Sequence, residues 1–353
     1  MMRRSLFRLL AAGCLVLAGC GVSQPAGQKA DPFWLSPSIS QEARERLQAL
    51  TGPIRFFPAP AKKSPETAED WRAMRAAVEA RTLAFVQPLV DELAPRVEEE
   101  TFGNVPVLRV EPRHGASKSG ILIYVHGGGF TFLSARSSMD GAALMAAKTG
   151  RVVYSIDYTP APDADWNEIT RQVQSVYSAL LEEGVLPGKI GVFGDSAGGG
   201  IAAGSILRIR DAGLPLPAAL LTQSACADLT ASGETFRTLQ SWDPAAVLQD
   251  VDVRLRAAQY ASGDDQEHPY ASPVFGDFSK GFPPTLIQAG TREFLLSDSV
   301  RLYQAIAGQG GLAVLDVYEG MPHVFQPLLH GVPESERAYR VADAFFDRAM
   351  GEE

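Results

Sequence analysis

The sequence predicts an α/β fold in which a mostly parallel central sheet is flanked by helices, with a helical cap on its N-terminal side. Three observations carry this. From about residue 105 short apolar runs alternate with segments of helical periodicity, the rhythm of strands joined by crossover helices. Two of those runs end in glycine-rich turns, at 126–129 and 194–198, and a doubly wound sheet binds its ligands beyond the carboxyl ends of its strands. Ahead of the rhythm, residues 31–100 are helix-prone and carry Phe33, Trp34, Phe56, Phe57 and Trp71.

Composition agrees with a packed globular body. The chain has 353 residues, 46% of them hydrophobic and 21% charged, which excludes disordered and fibrous classes. Its net charge of −9 argues against a nucleic-acid partner, since phosphate neutralisation needs a basic face.

Residues 1–19 stand apart from that body. Arg3, Arg4 and Arg8 precede an apolar run at 9–18 that is too short to span a bilayer, as in a secretory signal. The run closes on Leu17-Ala18-Gly19-Cys20, which resembles the bacterial lipobox. That resemblance implies removal of 1–19, acylation of Cys20 and a membrane anchor on an exported protein facing the periplasm or on the outer membrane, with Gly21 leaning towards the latter. Residues 20–30 read as a tether, small, polar and Pro/Gly-containing. Of the three cysteines, Cys14 would leave with the leader and Cys20 would carry lipid. Cys226 would then have no disulfide partner.

Expected strands lie at 107–110, 121–125, 152–156, 190–193, 219–222, 285–288 and 313–318. The clearest helix runs over 166–183, with Ile169, Val173, Val176, Tyr177, Leu180 and Leu181 on one face. A further helix is expected over 244–260, inside an insertion at 226–270 that interrupts the strand rhythm. The 31–100 segment and this insertion could both cover the carboxyl end of the sheet; a helical layer on the side of the core is the alternative for the first. Glu98-Glu99-Glu100 reads as a solvated turn or helix end. The domain plan is therefore a leader (1–19), a tether (20–30), a cap region (31–100) and a main domain (101–353).

The chemistry begins at Gly194-Asp195-Ser196-Ala197-Gly198. With 33 glycines in the chain, a G-x-S-x-G run arises by chance roughly 0.2 times, so its place between a strand and a small-residue helix at 197–210 is what gives it weight. A turn that tight leaves no room for a Cβ at 194 or 198 and thrusts the serine Oγ outward. His126-Gly127-Gly128-Gly129 is rarer, at roughly 0.004 chance copies. Its glycines let the N–H groups of Gly128 and Gly129, with that of Ala197, approach a developing oxyanion. His126 itself reads as a loop-orienting residue.

A serine nucleophile needs a base. His114, His268 and His330 sit in polar or turn contexts, whereas His323, in Gly320-Met321-Pro322-His323, directly follows the last strand. The acid should follow the strand before it. Glu293 lies on that loop; Asp298, the competing carboxylate, starts the next helix and reads as a cap, and Arg292 as solvent-facing.

At this point the chain resembles the hormone-sensitive-lipase-like (bacterial family IV) esterases of the α/β-hydrolase fold. The resemblance rests on Tyr124-Val125-His126-Gly127-Gly128-Gly129-Phe130, on the elbow extended by Gly199, and on Ala271-Ser272-Pro273-Val274-Phe275 leading to the acid loop. It implies a serine carboxylesterase, with Ser196, Glu293 and His323 as catalytic triad and Gly128, Gly129 and Ala197 as oxyanion hole; a cap carrying Phe33, Trp34, Phe56, Phe57 or Trp71 would crowd the site and favour short- to medium-chain esters. It implies no cofactor, and no cluster here has metal-ligand spacing; Asp264, Asp265 and Glu267 lack the grammar of a calcium loop. Where most members read Tyr-Arg-Leu-Ala-Pro-Glu, this chain has Tyr158-Thr159-Pro160-Ala161-Pro162-Asp163, without the arginine and its ion pairs, so the elbow's supporting network must differ locally. Rival readings are a peptidase of related fold, a long-chain lipase and, from another class, a non-catalytic binding protein; the intact Ser196, Glu293 and His323 speak against the last. Oligomeric state is not legible.

Overall fold

In the computed structural model the described residues are 35–56, 65–244 and 252–352. The leader, Cys20, the tether, Phe33, Trp34 and Phe57 lie outside them, as does the side chain of Phe56.

Aliphatic runs buried on both faces form the strands β3 (Ile121–Val125), β4 (Val152–Ile156), β5 (Ile190–Asp195), β6 (Ala219–Gln223) and β7 (Thr285–Gly290), and the less buried edge strand β8 (Ala313–Tyr318) completes the parallel part. With β1 (Arg96–Phe102) and β2 (Val105–Glu111) the order is β1-β2-β4-β3-β5-β6-β7-β8. Only the pairings β1·β2 and β2·β4 are antiparallel.

Strand β1 corrects one expectation. Glu98, Glu99 and Glu100 are neither turn nor helix end but the exposed outer strand, paired with β2 from Arg96↔Glu111 to Phe102↔Val105. An edge strand turned to water on both sides tolerates charge, and Arg109 on β2 lies 3.5 Å from Glu98 and 3.7 Å from Glu100.

Helices cover both faces, as doubly wound connections require. On one face α4 (Trp166–Glu182) buries Ile169, Val173, Val176, Tyr177 and Leu180 beside α5 (Ala197–Asp211), while α3 (Met139–Thr149) and the helix Pro333–Met350 cover the other. Below the amino ends of β3 and β4, the fully buried Arg151 reaches Asp343 at 2.9 Å, Glu352 at 2.9 Å and also Asp347, and Lys118 joins Asp343 and Asp347.

Two helices precede the sheet. Helix α1 (Gln41–Phe56) sets Ala43 and Leu47, with Ile39, against Met321, Phe325 and Leu329, and Ser40 clasps the Glu334 carboxylate through its N–H (2.6 Å) and its hydroxyl (2.7 Å). Helix α2 (Ala68–Leu93) opens on a capping box between Thr67 and Asp70 and packs on α3, with Trp71 against Phe132 at a ring separation of 6.0 Å. Helical structure in the 31–100 segment therefore ends at Leu93, where β1 follows. Among the described residues no helix is long and apolar enough to cross a membrane.

Candidate active site

Strand β5 ends at Asp195 and α5 begins at Ala197, so Ser196 alone reverses the chain. The cost is a backbone at φ 53°, ψ −124°, a region that L-residues rarely occupy. Its surroundings hold it there. A Cβ on Gly194 would lie 2.4 Å from the Gly198 carbonyl oxygen, and one on Gly198 would lie 2.0 Å from that of Val125 at the end of β3. The elbow thus closes against the strand that carries the glycine loop.

That loop is fastened from the elbow. The Asp195 carboxylate accepts from the Tyr124 hydroxyl at 2.6 Å and from the Gly127 N–H at 3.0 Å, while burial pushes its pKa up to about 6. Gly128 and Gly129 sit at φ 106° and 60°, and a Cβ on Gly128 would lie 2.2 Å from the Phe132 carbonyl oxygen. His126 orients the loop as expected: its ring stacks on Tyr158 at 4.2 Å, its Nδ1 lies 2.8 Å from the Gly127 carbonyl oxygen, and the His126 carbonyl accepts from the Tyr158 hydroxyl at 2.9 Å.

The 158–163 turn, which departs from the family pattern, is held from α2. Arg75 donates to the Thr131 carbonyl (3.0 Å), the Ala161 carbonyl (2.8 Å) and the Asp163 carboxylate (2.8 Å), and so ties the glycine loop to the 158–163 turn. Neither Arg75 nor Asp195 was assigned a role from sequence. Asp195 carried a signal, since it lies inside the elbow motif; Arg75 carried none.

On the other side, the turn after β8 brings the Nε2 of His323 to 2.8 Å from the Ser196 Oγ, and Glu293 places its Oε2 3.8 Å from His323 Nδ1. Ser224, at the end of β6, links the two turns: its hydroxyl donates to Glu293 Oε2 and accepts from the Val324 N–H at 2.9 Å. Burial holds the His323 imidazole down to about 3, with the Arg256 charge acting in the same direction, and burial pushes Glu293 well above the usual carboxylate range. The resting imidazole is therefore neutral, the form able to accept a proton.

Asp298 is no rival for the imidazole, and it does not cap its own helix. Its carboxylate is buried, with its pKa pushed up to about 8 by that burial, and it accepts from the N–H groups of Ala227 and Asp228 at 3.0 Å each. Arg292 departs from expectation as well: it is half-buried and donates through Nε to the Trp242 carbonyl at 3.2 Å. Of the remaining histidines, His114 is exposed and His268 stacks on Trp166 at 4.0 Å.

Ser196, His323, Gly128, Gly129 and Ala197 line one cavity of about 200 Å³. Its walls come from Phe130, Cys226, Phe294 and Leu295 and, from the insertion, Val253 and Arg256; among the described residues none of α1 or α2 is in the lining. No group of His, Cys, Asp and Glu among the described residues could hold a metal ion.

With this arrangement in view, the likeness to known proteins is informative. A family model for the α/β-hydrolase fold matches residues 122–327. An acetyl-hydrolase of Streptomyces hygroscopicus is 33% identical over 286 residues, which is 80% of this chain and 94% of the relative. Among solved structures, the esterase E25 superposes with a TM-score of 0.81 at 27% identity, covering 92% of this chain and 98% of its own. An esterase from the bacterial hormone-sensitive lipase family superposes at 0.74 with 30% identity, covering 87% and 99%. The chain belongs to the α/β-hydrolase fold family, within its hormone-sensitive-lipase-like esterases.

Proposed function

We propose that the chain is a serine carboxylesterase in which Ser196 is the nucleophile, His323 the general base and acid, and Glu293 the carboxylate that steadies the imidazolium. The carrying observation is the 2.8 Å contact from His323 Nε2 to Ser196 Oγ on a strained elbow, with Glu293 behind the ring. As Oγ attacks an ester carbonyl, Nε2 takes its proton, and the N–H groups of Gly128, Gly129 and Ala197 receive the oxyanion. The imidazolium then returns the proton to the leaving alcohol, and water repeats the cycle on the acyl-enzyme. Glu293, buried and supported by Ser224, gains in attraction to the ring once the proton arrives.

The cavity supports a reading of substrate size. About 200 Å³ falls below the range of drug-sized pockets and suits short to medium acyl chains. The acetyl-hydrolase name of the Streptomyces relative supports the same end of the range. Ser196→Ala, assayed on aryl esters from acetyl to palmitoyl, tests the reading. A loss of about 10⁴ or more in kcat with unchanged circular dichroism is expected, together with a wild-type preference below the long chains. Retained activity in the variant would remove the nucleophile, and a sharp rise at an oil interface would make the protein a lipase.

We further propose export and lipid anchoring at Cys20, supported by the arginines ahead of the apolar run and by Leu17-Ala18-Gly19-Cys20. Mass spectrometry of the mature amino terminus should find an acylated Cys20 and lose it in Cys20→Ala. A terminus elsewhere would end that reading and leave the site untouched.

A further inference from the structure

Proton transfer divides the cavity into two ends. His323 Nε2 must protonate the leaving oxygen, so the alcohol lies on the imidazole's side of Ser196; with the oxyanion turned to the N–H groups of Gly128, Gly129 and Ala197, the acyl chain runs the other way. The lining side chains sort accordingly. Phe294, its ring 5.2 Å from that of His323, belongs to the alcohol end with Leu295 and Val324. Arg256 lies against Gly129 of the oxyanion loop, which leaves Phe130, Cys226 and Val253 for the acyl end.

The backbone at the acyl end is pinned. Cys226 donates its N–H to the Ser196 carbonyl at 2.8 Å, and its own carbonyl oxygen lies so close to α5 that a Cβ on Gly200 would sit 2.0 Å from it. Its side chain is therefore the part that reaches the cavity. Burial pushes the thiol pKa up, so the group stays protonated and acts as a small apolar wall. From the insertion comes Val253, 6% exposed, the first residue of the helix Val253–Tyr260. That helix is fixed at its other end, where Tyr260 stacks on Phe130 at 4.3 Å. With the backbone held on both sides, the volume left to an acyl chain is a matter of side-chain bulk, and a close-packed wall does not take up an extra methylene without strain.

We propose that Val253 and Cys226 are the specificity-determining residues for the acyl group: together they form the wall that the acyl chain meets, and their bulk fixes the chain length accepted. The proposal rests on the esterase reading of Ser196 and deepens it by naming the residues that select the substrate.

Two ester series test it. In one, p-nitrophenol is the leaving group throughout and the acyl chain grows from acetyl to octanoyl; in the other, acetyl is the acyl group throughout and the alcohol grows from ethanol to octanol. The readout is the ratio of kcat/KM, longer member over shorter, because damage to the nucleophile or the base lowers both alike. Val253→Ala should raise the hexanoyl-over-butanoyl ratio by about 10-fold or more, the scale of a methylene in an apolar pocket. Cys226→Leu fills the same space and should lower that ratio by about 10-fold. Neither should move the acetate series by more than about 2-fold, whereas Leu295→Ala, at the alcohol end, should move that series alone.

An acyl ratio that both variants leave in place, or that both shift in one direction, would overturn the proposal, as would a Val253→Ala effect on the acetate series. Should Val253→Ala not fold, Val253→Ile carries the test: its added methylene should lower the acyl ratio, and an unchanged ratio would again overturn the proposal. Loss of the underlying esterase reading would show separately, as turnover of p-nitrophenyl acetate that survives Ser196→Ala.

Discussion

The two sides of this active site are held in place by different means. On the side of β3 and β5 the closest approaches are of backbone to backbone, Gly198 to Val125 and His126 and Gly128 to Phe132, and the side chains of Asp195 and Arg75 fasten the loop around them. On the side of β7 and β8, side chains carry the geometry, with Ser224 linking Glu293 to Val324 and with Ile39 against Gly320. The first arrangement suits the proposed oxyanion hole and nucleophile, which need not move. The second leaves an imidazole able to change charge with its carboxylate near by. Steric exclusion suits groups whose position is the function; hydrogen bonds and packing suit groups whose protonation is the function.

That contrast can be broken from its rigid side first. Gly198→Ala would put a methyl group 2.0 Å from one backbone oxygen and 2.4 Å from another, neither of which can swing aside. Activity should fall by about 10³ or more, with destabilisation of about 4 kcal/mol or greater, visible as a lower Tm. A folded, active variant would show that the elbow has slack.

On the softer side the effect should be smaller and confined to chemistry. Glu293→Gln keeps the volume but removes the ionisable carboxyl group behind the imidazolium, so kcat should drop by about 10² while Tm changes little. Asp298→Asn should show the reverse, a lower Tm with kcat within about 3-fold, because Asp298 holds the 227–228 backbone. An exchange of these two outcomes would move the acid to Asp298.

The smallest effect is one of pH. His323 must be neutral to act, and its folded pKa lies below the ordinary 6.5, at about 3. The acid limb of kcat/KM should therefore fall well below pH 6.5. Between those two values the unfolded chain binds a proton that the folded one refuses, so this residue also withdraws stability as pH falls. A limb at 6.5 or above would mean that the imidazole is solvated.

What sequence could and could not reveal divides along the same line. The elbow and the glycine loop were legible because steric exclusion demands particular residues at fixed spacing. His323 and Glu293 were legible through their order after the last two strands, although their meeting depends on Ser224, which no motif marks. The strands at 121–125, 152–156 and 313–318 lie where the apolar runs placed them. Strand β1 was missed because a run of three glutamates, exposed on an outer strand, carries no alternation to read. Arg75 was invisible for another reason: it acts from a helix whose landing place is set by tertiary packing, and an arginine on a helix resembles any other.

Arg151 has a consequence for the order of events during synthesis. It stands at the start of β4, yet its carboxylate partners lie 192 to 201 positions later in the chain. A nascent chain that has already made β3, β4 and β5 must hold this guanidinium in water, since burying it alone would be prohibitive. The far end of the sheet, opposite the nucleophile, therefore closes only when residues 343–352 have emerged from the ribosome. Until then the first half of the sheet is an open surface, and vectorial folding of this chain finishes at the end remote from its chemistry.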